Sequence, residues 1–344
     1  MSVAIGGVRC RVNFYQTVRG VAAAIRLLAP AIKDLHGCNL HPDFRKLIEA
    51  TTGLIIISGP TGSGKSTTLA ALIEEINATR SRNIVTLESP LEYIYANRRS
   101  FIRQREIPTH SPSFEQGIID ALRENPDVLV VSEMRTPEVM RLTLNAAETG
   151  HLVLATMHSA TCAEALSRLC MSFPSDIQAS VRAQVADCLV GLSCQRLDFL
   201  SAHRLRVPHC EILLPSSGAK GTIRAGNFSQ IANVLQSGGD EGMWTFDRYQ
   251  RWMEQVSDWV RPTQAAAVRN SGDPGLPPRT PGFRPMTKPL SGAPLQAKAA
   301  TKPMPARPAR TTSSPADDVF EVPAEDMDLA QLAELAKKVV ERKP

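Results

Sequence analysis

Short apolar runs, each closed by small or polar residues, recur through the first 260 residues of the chain. The clearest runs are "LIIIS" (54–58), "NIVTLE" (83–88), "DVLVVSE" (127–133) and "TGHLVLATMHS" (149–159). They have the length and branched side chains of buried strands in a parallel sheet. Helix-period stretches follow several of them, as at 65–78. The alternation predicts an α/β fold with a central, mostly parallel sheet.

The stretch after Glu133 predicts a helix with clear ends. Thr136 is a suitable capping residue, Pro137 fits the first turn, and Gly150 follows the last turn. This helix start places Arg135 close to the carboxyl edge of the predicted sheet.

Residues 59–67, "GPTGSGKST", match the pattern GxxxxGK[ST] between a predicted strand and a predicted helix. The glycines allow the backbone N–H groups to turn inward toward phosphates. Lys65 supplies a positive charge for the β- and γ-phosphates, and the Ser66 hydroxyl can ligate Mg²⁺. The predicted nucleotide-binding residues are Gly59, Pro60, Thr61, Gly62, Ser63, Gly64, Lys65, Ser66 and Thr67.

Polar side chains stand at the carboxyl ends of three predicted strands. Glu88, Glu133 and His158 occupy these ends, and ligands of open α/β sheets bind there. A carboxylate beside bound nucleotide can orient and partly deprotonate water, which makes Glu133 and Glu88 catalytic candidates. Glu92 is a supporting candidate, and a purely structural role stays open for each. His151 begins the strand that His158 ends, so spacing favours a structural role for His151.

Three arginines are further candidates for a phosphate contact. Arg135 follows the predicted catalytic acid, whereas Arg105 and Arg123 lie in "FIRQREI" and "ALRENPD". Arg105 and Arg123 could reach the phosphate of a neighbouring subunit, but an arginine is more often a surface or structural residue.

Composition narrows the class of protein without choosing a function. The 344 residues are 43% hydrophobic, enough for a real core, and carry a formal net charge of +5. Seven scattered cysteines form no CxxC pair, which disfavours a zinc module and favours free thiols in a reducing cytoplasm. The sequence contains neither a signal-peptide pattern nor an apolar run of membrane-spanning length, so a cytoplasmic protein is expected.

The composition changes near Arg261. Residues 261–324 are rich in Pro, Ala, Ser and Thr with scattered basic residues, which predicts a disordered tail. Residues 325–344 regain helical spacing and predict an amphipathic helix. That helix either docks on a partner or stays solvated.

Four motifs in this order resemble the secretion ATPase superfamily, the motors of type II secretion and type IV pili. "GPTGSGKST" resembles its Walker A motif, "TLESPLEYIY" its aspartate box, "DVLVVSEMR" its Walker B motif and "TGHLVLATMHS" its histidine box. "IRQRE" (102–106) and "GMWTFDRY" (242–249) are similar to the PilT-type retraction branch. The similarity runs from about Arg9 to Trp259.

The resemblance implies a RecA-like P-loop core that forms a ring, a hexamer in this family, and hydrolyses ATP with Mg²⁺ between subunits. Glu133 corresponds to the catalytic glutamate, Glu88 to the metal and water site, and His158 to a γ-phosphate sensor. His151 also belongs to the histidine box, and Arg105 and Arg123 match arginines that approach nucleotide. The implied partner is a platform protein of the inner membrane, through which the motor is bound peripherally at the cytoplasmic face of that membrane. Nucleic acid is not expected as a partner.

The implied organisation has six parts. Residues 1–30 are a remnant of a PAS-like N-terminal domain, in which Arg9–Leu28 resembles a final strand and helix, and 31–48 form a linker. The ATPase core spans 49–215, and a C-terminal helical subdomain spans 216–260. The tail 261–324 and the helix 325–344 complete the chain.

Two departures keep other functions open. Ser89 stands where the aspartate box usually has an acid, and the N-terminal domain of the family is much longer than the matching segment here. These features motivate an ATP-binding accessory subunit that acts with a full-length paralogue. A DNA-transfer ATPase of conjugation is a further alternative with the same ring fold.

Overall fold

A computed structural model describes residues 2–5, 8–28 and 31–261, which belong to one connected unit. The N-terminal part of these residues is a small antiparallel sheet in the order β1-β2-β3. Its strands are β1 (Ser2–Ile5), β2 (Val8–Thr17) and β3 (Gly20–Leu27).

The rest of the described chain is built on a central sheet. Its strands are β4 (Gly53–Ser58), β5 (Asn83–Glu88), β6 (Phe101–Glu106), β7 (Val128–Val131), β8 (Leu152–Met157), β9 (Leu189–Leu200) and β10 (Leu205–Leu213). Within the described residues they form one sheet in the order β10-β9-β4-β8-β7-β5-β6. All neighbours are parallel except β9 and β10, which form an antiparallel hairpin at one edge. The predicted α/β class with a mostly parallel sheet is confirmed.

Helices cover both faces of this sheet. They are α1 (Phe44–Leu47), α2 (Lys65–Thr79), α3 (Phe114–Leu122), α4 (Pro137–Glu148), α5 (Cys162–Met171), α6 (Gln178–Cys188), α7 (Ser217–Ala225), α8 (Ile231–Ser237) and α9 (Phe246–Gln255). Leu54 and Ile56 of β4 pack among residues of α3 to α8, whereas Ile55 and Ile57 pack among residues of α1, α2 and α9. Because successive strand residues point to opposite faces, one buried strand serves two cores.

The predicted bounds of the central elements hold closely, and the differences have local causes. The Walker B strand ends at Val131 rather than at Glu133, because the backbone leaves the strand for a loop that leads into α4. In this loop the N–H of Ser132 donates to the carbonyl of Leu87, and the N–H of Met134 donates to that of Thr156. The loop therefore holds Glu133 between neighbouring strands.

The helix expected within Arg9–Leu28 is wrong, because Gly20–Leu27 is a strand. Gly20 has φ +109°, a left-handed conformation that glycine adopts without strain, and it turns the chain back on β2. The Thr17 hydroxyl stabilises this turn by donating to the Gly20 carbonyl at 2.8 Å and accepting from the Arg19 N–H at 3.2 Å. Apolar residues alternate along β3, and the alanines between them are compatible with either structure.

Apart from Arg261, the predicted disordered tail 261–324 and the predicted helix 325–344 lie outside the described residues. In the part of the chain that is described, no helix combines the length and apolar character needed to cross a membrane.

Candidate functional site

The segment between β4 and α2 is a tight loop that wraps the start of the helix. Gly59, Gly62 and Gly64 all have positive φ, and Gly64 at +90° directly precedes the first turn of α2. A Cβ on Gly59 would lie 2.3 Å from the carbonyl oxygen of Gln195 and 2.5 Å from the Ser63 hydroxyl. The loop is therefore restricted to glycine there both by conformation and by space. Its position before a helix N-terminus suits an anion.

Lys65 points its ammonium group back into this loop. Nζ donates to the carbonyls of Gly59 at 2.8 Å and Pro60 at 3.0 Å, and it lies 3.4 Å from Nδ1 of His158. Burial lowers the pKa of Lys65, and the negative charge of Glu133 opposes this effect in part. The sequence-predicted lysine, glutamate and histidine are thus brought together from three separate segments.

Glu133 lies between two nitrogen partners. Its Oε1 is 2.9 Å from Nε2 of His158, and its Oε2 is 2.6 Å from the guanidinium of Arg135. Burial raises the pKa of Glu133, but the hydrogen bonds and charges of Arg135 and His158 outweigh burial and leave this pKa below its usual value. Glu133 is therefore a carboxylate at neutral pH.

Glu88 is a second acid of the site, and its pKa is raised where that of Glu133 is lowered. It is 9% exposed, and burial raises its pKa to about 7 although Thr86 and Gln104 donate hydrogen bonds to it. Both donors reach Oε1, at 2.8 Å and 3.2 Å respectively. Gln104 also donates to the Tyr93 carbonyl at 2.9 Å, so it ties Glu88 to the loop after β5. Near neutral pH the protonated and the ionised forms of Glu88 are therefore both populated.

One cleft of about 450 Å³ collects most of the predicted site residues. Thr61, Gly62, Gly64, Lys65, Ser66, Thr67, Glu88, Glu92, Glu133, Arg135 and His158 line it. Ser89 also lines it at the position where an acid was expected, and its N–H donates to the Ser132 hydroxyl at 3.3 Å. The volume is that of a small-molecule site.

Several cleft residues were absent from the predicted site. Arg11 and Arg26 face each other across β2 and β3 and line the cleft from the small sheet. Tyr93 and Leu197 line it from the loop after β5 and from β9. Their positions depend on tertiary structure, although the abundance of arginine in the first 26 residues was a signal.

Three predicted supporting residues are not among the residues that line this cleft. His151 stands at the opposite end of β8, where its Nδ1 is 3.0 Å from the Ala146 carbonyl at the end of α4. Arg105 lies on β6, the strand at the far edge of the sheet, and pairs with Glu124. Arg123 is exposed at the end of α3. Their proposed action on the site therefore requires either indirect coupling or a neighbouring subunit.

The described residues include no cluster of three or more His, Cys, Asp or Glu side chains arranged to hold a metal by themselves. A magnesium ion that accompanies nucleotide needs few protein ligands, because phosphates and water supply the remaining oxygens. Ser66 is exposed at the first turn of α2, and the carboxylate of Glu133 lines the same cleft. Hard oxygen donors beside a phosphate loop fit Mg²⁺.

Comparison with known proteins places these features in a family. Residues 1–236 match the model of the type II/IV secretion system protein family. A twitching motility protein of Neisseria gonorrhoeae is 40% identical over 240 residues, which cover 70% of this chain and 64% of that protein. The type IV pilus retraction ATPase PilT of Pseudomonas aeruginosa is 35% identical over 242 residues, 70% of each chain. The chain thus spans somewhat under two thirds of the gonococcal protein.

Solved structures agree with the sequence relatives. The crystal structure of the pilus retraction motor PilT with bound ADP superposes with a TM-score of 0.65 at 35% identity, covering 75% of this chain and 77% of PilT. The ATPase DotB of Legionella pneumophila gives a TM-score of 0.64 at 26% identity, covering 76% of each chain. Together with the family match, these findings show that the chain belongs to the type II/IV secretion system protein family.

Proposed function

We propose that the protein is an ATPase that powers the retraction of type IV pili or drives a closely related pilus or secretion machine. The observation that carries the proposal is the convergence of Lys65, Glu133 and His158 at one end of a phosphate loop. The similarity to PilT and to a twitching motility protein supports retraction in particular.

Each side chain has a role that its position suits. Lys65 and the N–H groups of the loop bind the phosphates, and Ser66 ligates Mg²⁺, which neutralises phosphate charge when bound. Glu133, ionised at neutral pH, orients the attacking water and accepts its proton, a contribution of about 10²- to 10⁴-fold in rate. His158 bridges Glu133 and Lys65, which supports assigning it the contact with the γ-phosphate.

The proposed assembly is a ring of six copies that works at the cytoplasmic face of the inner membrane through a platform protein. In such a ring Arg123, which is exposed away from the cleft of its own chain, could approach the nucleotide of a neighbour, whereas Arg105 would first have to leave its ion pair with Glu124. Mass photometry of the purified chain with and without Mg²⁺-ATP tests this assembly. A hexamer-sized particle supports the ring, whereas a monomer in both conditions contradicts it.

A Glu133→Gln substitution in the chromosomal gene of the source organism tests the retraction role. The variant is expected to keep its surface pili but lose surface twitching, because filaments extend and are not withdrawn. Glu138→Gln is the matched control, since Glu138 lies on α4 and pairs with Arg141 outside the cleft. Normal twitching in the Glu133→Gln strain would rule out the role as a motor.

The accessory subunit suggested by Ser89 predicts a different outcome. Such a subunit binds ATP as a monomer, turns it over slowly and becomes active only when a full-length paralogue is added. The mass and turnover measurements together distinguish it from an autonomous motor.

A further inference from the structure

Strand β9 passes directly beneath the phosphate loop, and Gln195 is its point of contact. The side chain of Gln195 is buried, with 1% of the residue exposed. Its Nε2 donates a hydrogen bond of 2.7 Å to the carbonyl oxygen of Ser63, inside the loop. Gly59 and Gly64 pack against the same residue. A Cβ on Gly59 would lie 2.3 Å from the carbonyl oxygen of Gln195, and a Cβ on Gly64 would lie 3.3 Å from its Nε2.

This hydrogen bond fixes the direction of a peptide group. In a planar trans peptide the C=O and the following N–H point in opposite directions. Because Gln195 holds the Ser63 carbonyl toward β9, the N–H of Gly64 points away from β9. Gly64 lines the cleft, and an N–H that points away from β9 is available there to a phosphate.

The remaining polar atoms at this contact argue against a role in stability alone. Oε1 of Gln195 and the hydroxyl of Ser63 are both buried and have no hydrogen-bond partner among the described residues. A buried amide with an unmet acceptor costs stability relative to an apolar side chain of similar shape. Exchanging the positions of Oε1 and Nε2 in the Gln195 amide does not satisfy the acceptor. Oε1 would then face the Ser63 carbonyl, and the two acceptors would repel each other.

We infer that Gln195 is a positioning residue of the phosphate loop, which aims the Gly64 N–H at the phosphates shared by ADP and ATP. The inference rests on the proposed nucleotide site, but it concerns diphosphate binding and not the chemical step. Gln195 acts through Ser63 and Gly64, because its own amide is oriented into the loop and away from solvent.

Two variants test the inference. Gln195→Leu removes the donor and keeps an approximate shape, and Gln195→Met removes the donor and keeps the length of the side chain. Gln184→Leu is the matched control, because Gln184 bonds to Asn145 and Glu148 on the helical layer outside the cleft. For each protein, the Kd for ADP, the KM and kcat for ATP and the thermal midpoint are measured.

The expected result is a split between binding and turnover. Both Gln195 variants should raise the Kd for ADP and the KM for ATP about tenfold, with kcat changed by less than about threefold. The thermal midpoint of Gln195→Leu should stay within about 4 °C of the wild type, because one unmet acceptor replaces another. The control should match the wild type in ADP affinity.

Two results would overturn the inference. One is wild-type ADP affinity in both Gln195 variants. The other is a lowered thermal midpoint with unchanged Kd, which would make Gln195 a purely structural residue. A wild-type chain that binds ADP but does not hydrolyse ATP would count against the proposed ATPase while the ADP affinities still decide the role of Gln195.

Discussion

At the scale of single residues, the two acids of the cleft differ because their surroundings differ. Glu133 has a guanidinium and an imidazole within hydrogen-bonding distance, so its charged form is stabilised. Burial raises the pKa of Glu88, and the negative charges of Glu92 and Glu106 add to this effect, so the hydrogen bonds from Thr86 and Gln104 offset it only in part. A pair of carboxyls with separated pKa values can divide the tasks of base and proton carrier.

Arg135→Ala should shift the acidic limb of the ATPase pH profile to higher pH. Without Arg135, burial is less opposed and the pKa of Glu133 rises, so the active carboxylate is lost at a higher pH. The logarithm of kcat/KM against pH measures the shift. Arg141→Ala should leave the limb in place, because Arg141 pairs with Glu138 away from the cleft. An acidic limb that stays in place or moves to lower pH would show that Arg135 does not stabilise the Glu133 carboxylate.

Glu88→Gln should stabilise the protein at alkaline pH. The pKa of Glu88 is about 7 in the fold against 4.5 as a model value, so the folded state retains a proton that the unfolded state loses. The free energy of unfolding therefore falls as the pH rises from 4.5 to 7. Each pH unit in this range lowers it by about 1.36 kcal/mol, which gives about 3 kcal/mol in total.

The free energy of unfolding in urea, measured at pH 5 and pH 8 with EDTA present, tests this linkage. The gain from Glu88→Gln should appear at pH 8 and be small at pH 5. Glu138→Gln should gain nothing at pH 8, since Glu138 is at the surface. Equal effects of Glu88→Gln at both pH values would contradict a raised pKa.

At the scale of elements, the loop from β7 to α4 carries two residues of the site, Glu133 and Arg135. Thr136 caps α4 by accepting a hydrogen bond of 3.2 Å from the Val139 N–H, and this fixes the exit of the loop that carries Glu133 and Arg135. The cap was predictable from the order Thr-Pro-Glu, which is local chemistry.

Thr136→Ala should destabilise the protein by about 1 kcal/mol, whereas Thr136→Ser, which keeps the hydroxyl, should cost much less. Urea unfolding of the three proteins measures the difference. If alanine and serine cost the same, the hydroxyl does not cap the helix.

The elements also show where prediction from sequence succeeds and fails. The apolar runs predicted β4, β5 and β8 nearly to the residue, because a strand that is buried on both faces needs a continuous apolar run. The helix that the family resemblance implied within Arg9–Leu28 was wrong, because Gly20–Leu27 is a strand of a hairpin that depends on one glycine turn. Lys65, Glu133 and His158 were predictable because each belongs to a local motif. Gln195 was not, since only the pairing of β9 with β4 brings it under the loop.

At the scale of the whole molecule, the small sheet contributes to the cleft of the larger one. Arg9 donates to the carbonyls of Leu91 at 3.0 Å and Glu92 at 3.2 Å, which joins β2 to the loop after β5. Arg11 and Arg26 then present two positive charges to the cleft. A nucleotide that fills this cleft would therefore contact residues of both sheets.

The double variant Arg11→Ala/Arg26→Ala should weaken ATP binding about tenfold at low salt, since each arginine attracts the phosphates. The loss should shrink in about 0.5 M salt, because exposed charges are screened. Arg19→Ala is the control, as Arg19 lies in the turn of the same sheet and does not line the cleft. Unchanged affinity of the double variant at low salt would separate the small sheet from nucleotide binding.

The central claim, that Glu133 performs ATP hydrolysis in a cleft formed by the phosphate loop, is tested most directly by one paired measurement. ATP turnover and ATP affinity are determined on the same samples of wild type and Glu133→Gln. The predicted result is a turnover lower by at least about 10²-fold in the variant with ATP affinity retained. Equal turnover in the two proteins would contradict the claim and move the catalytic acid elsewhere.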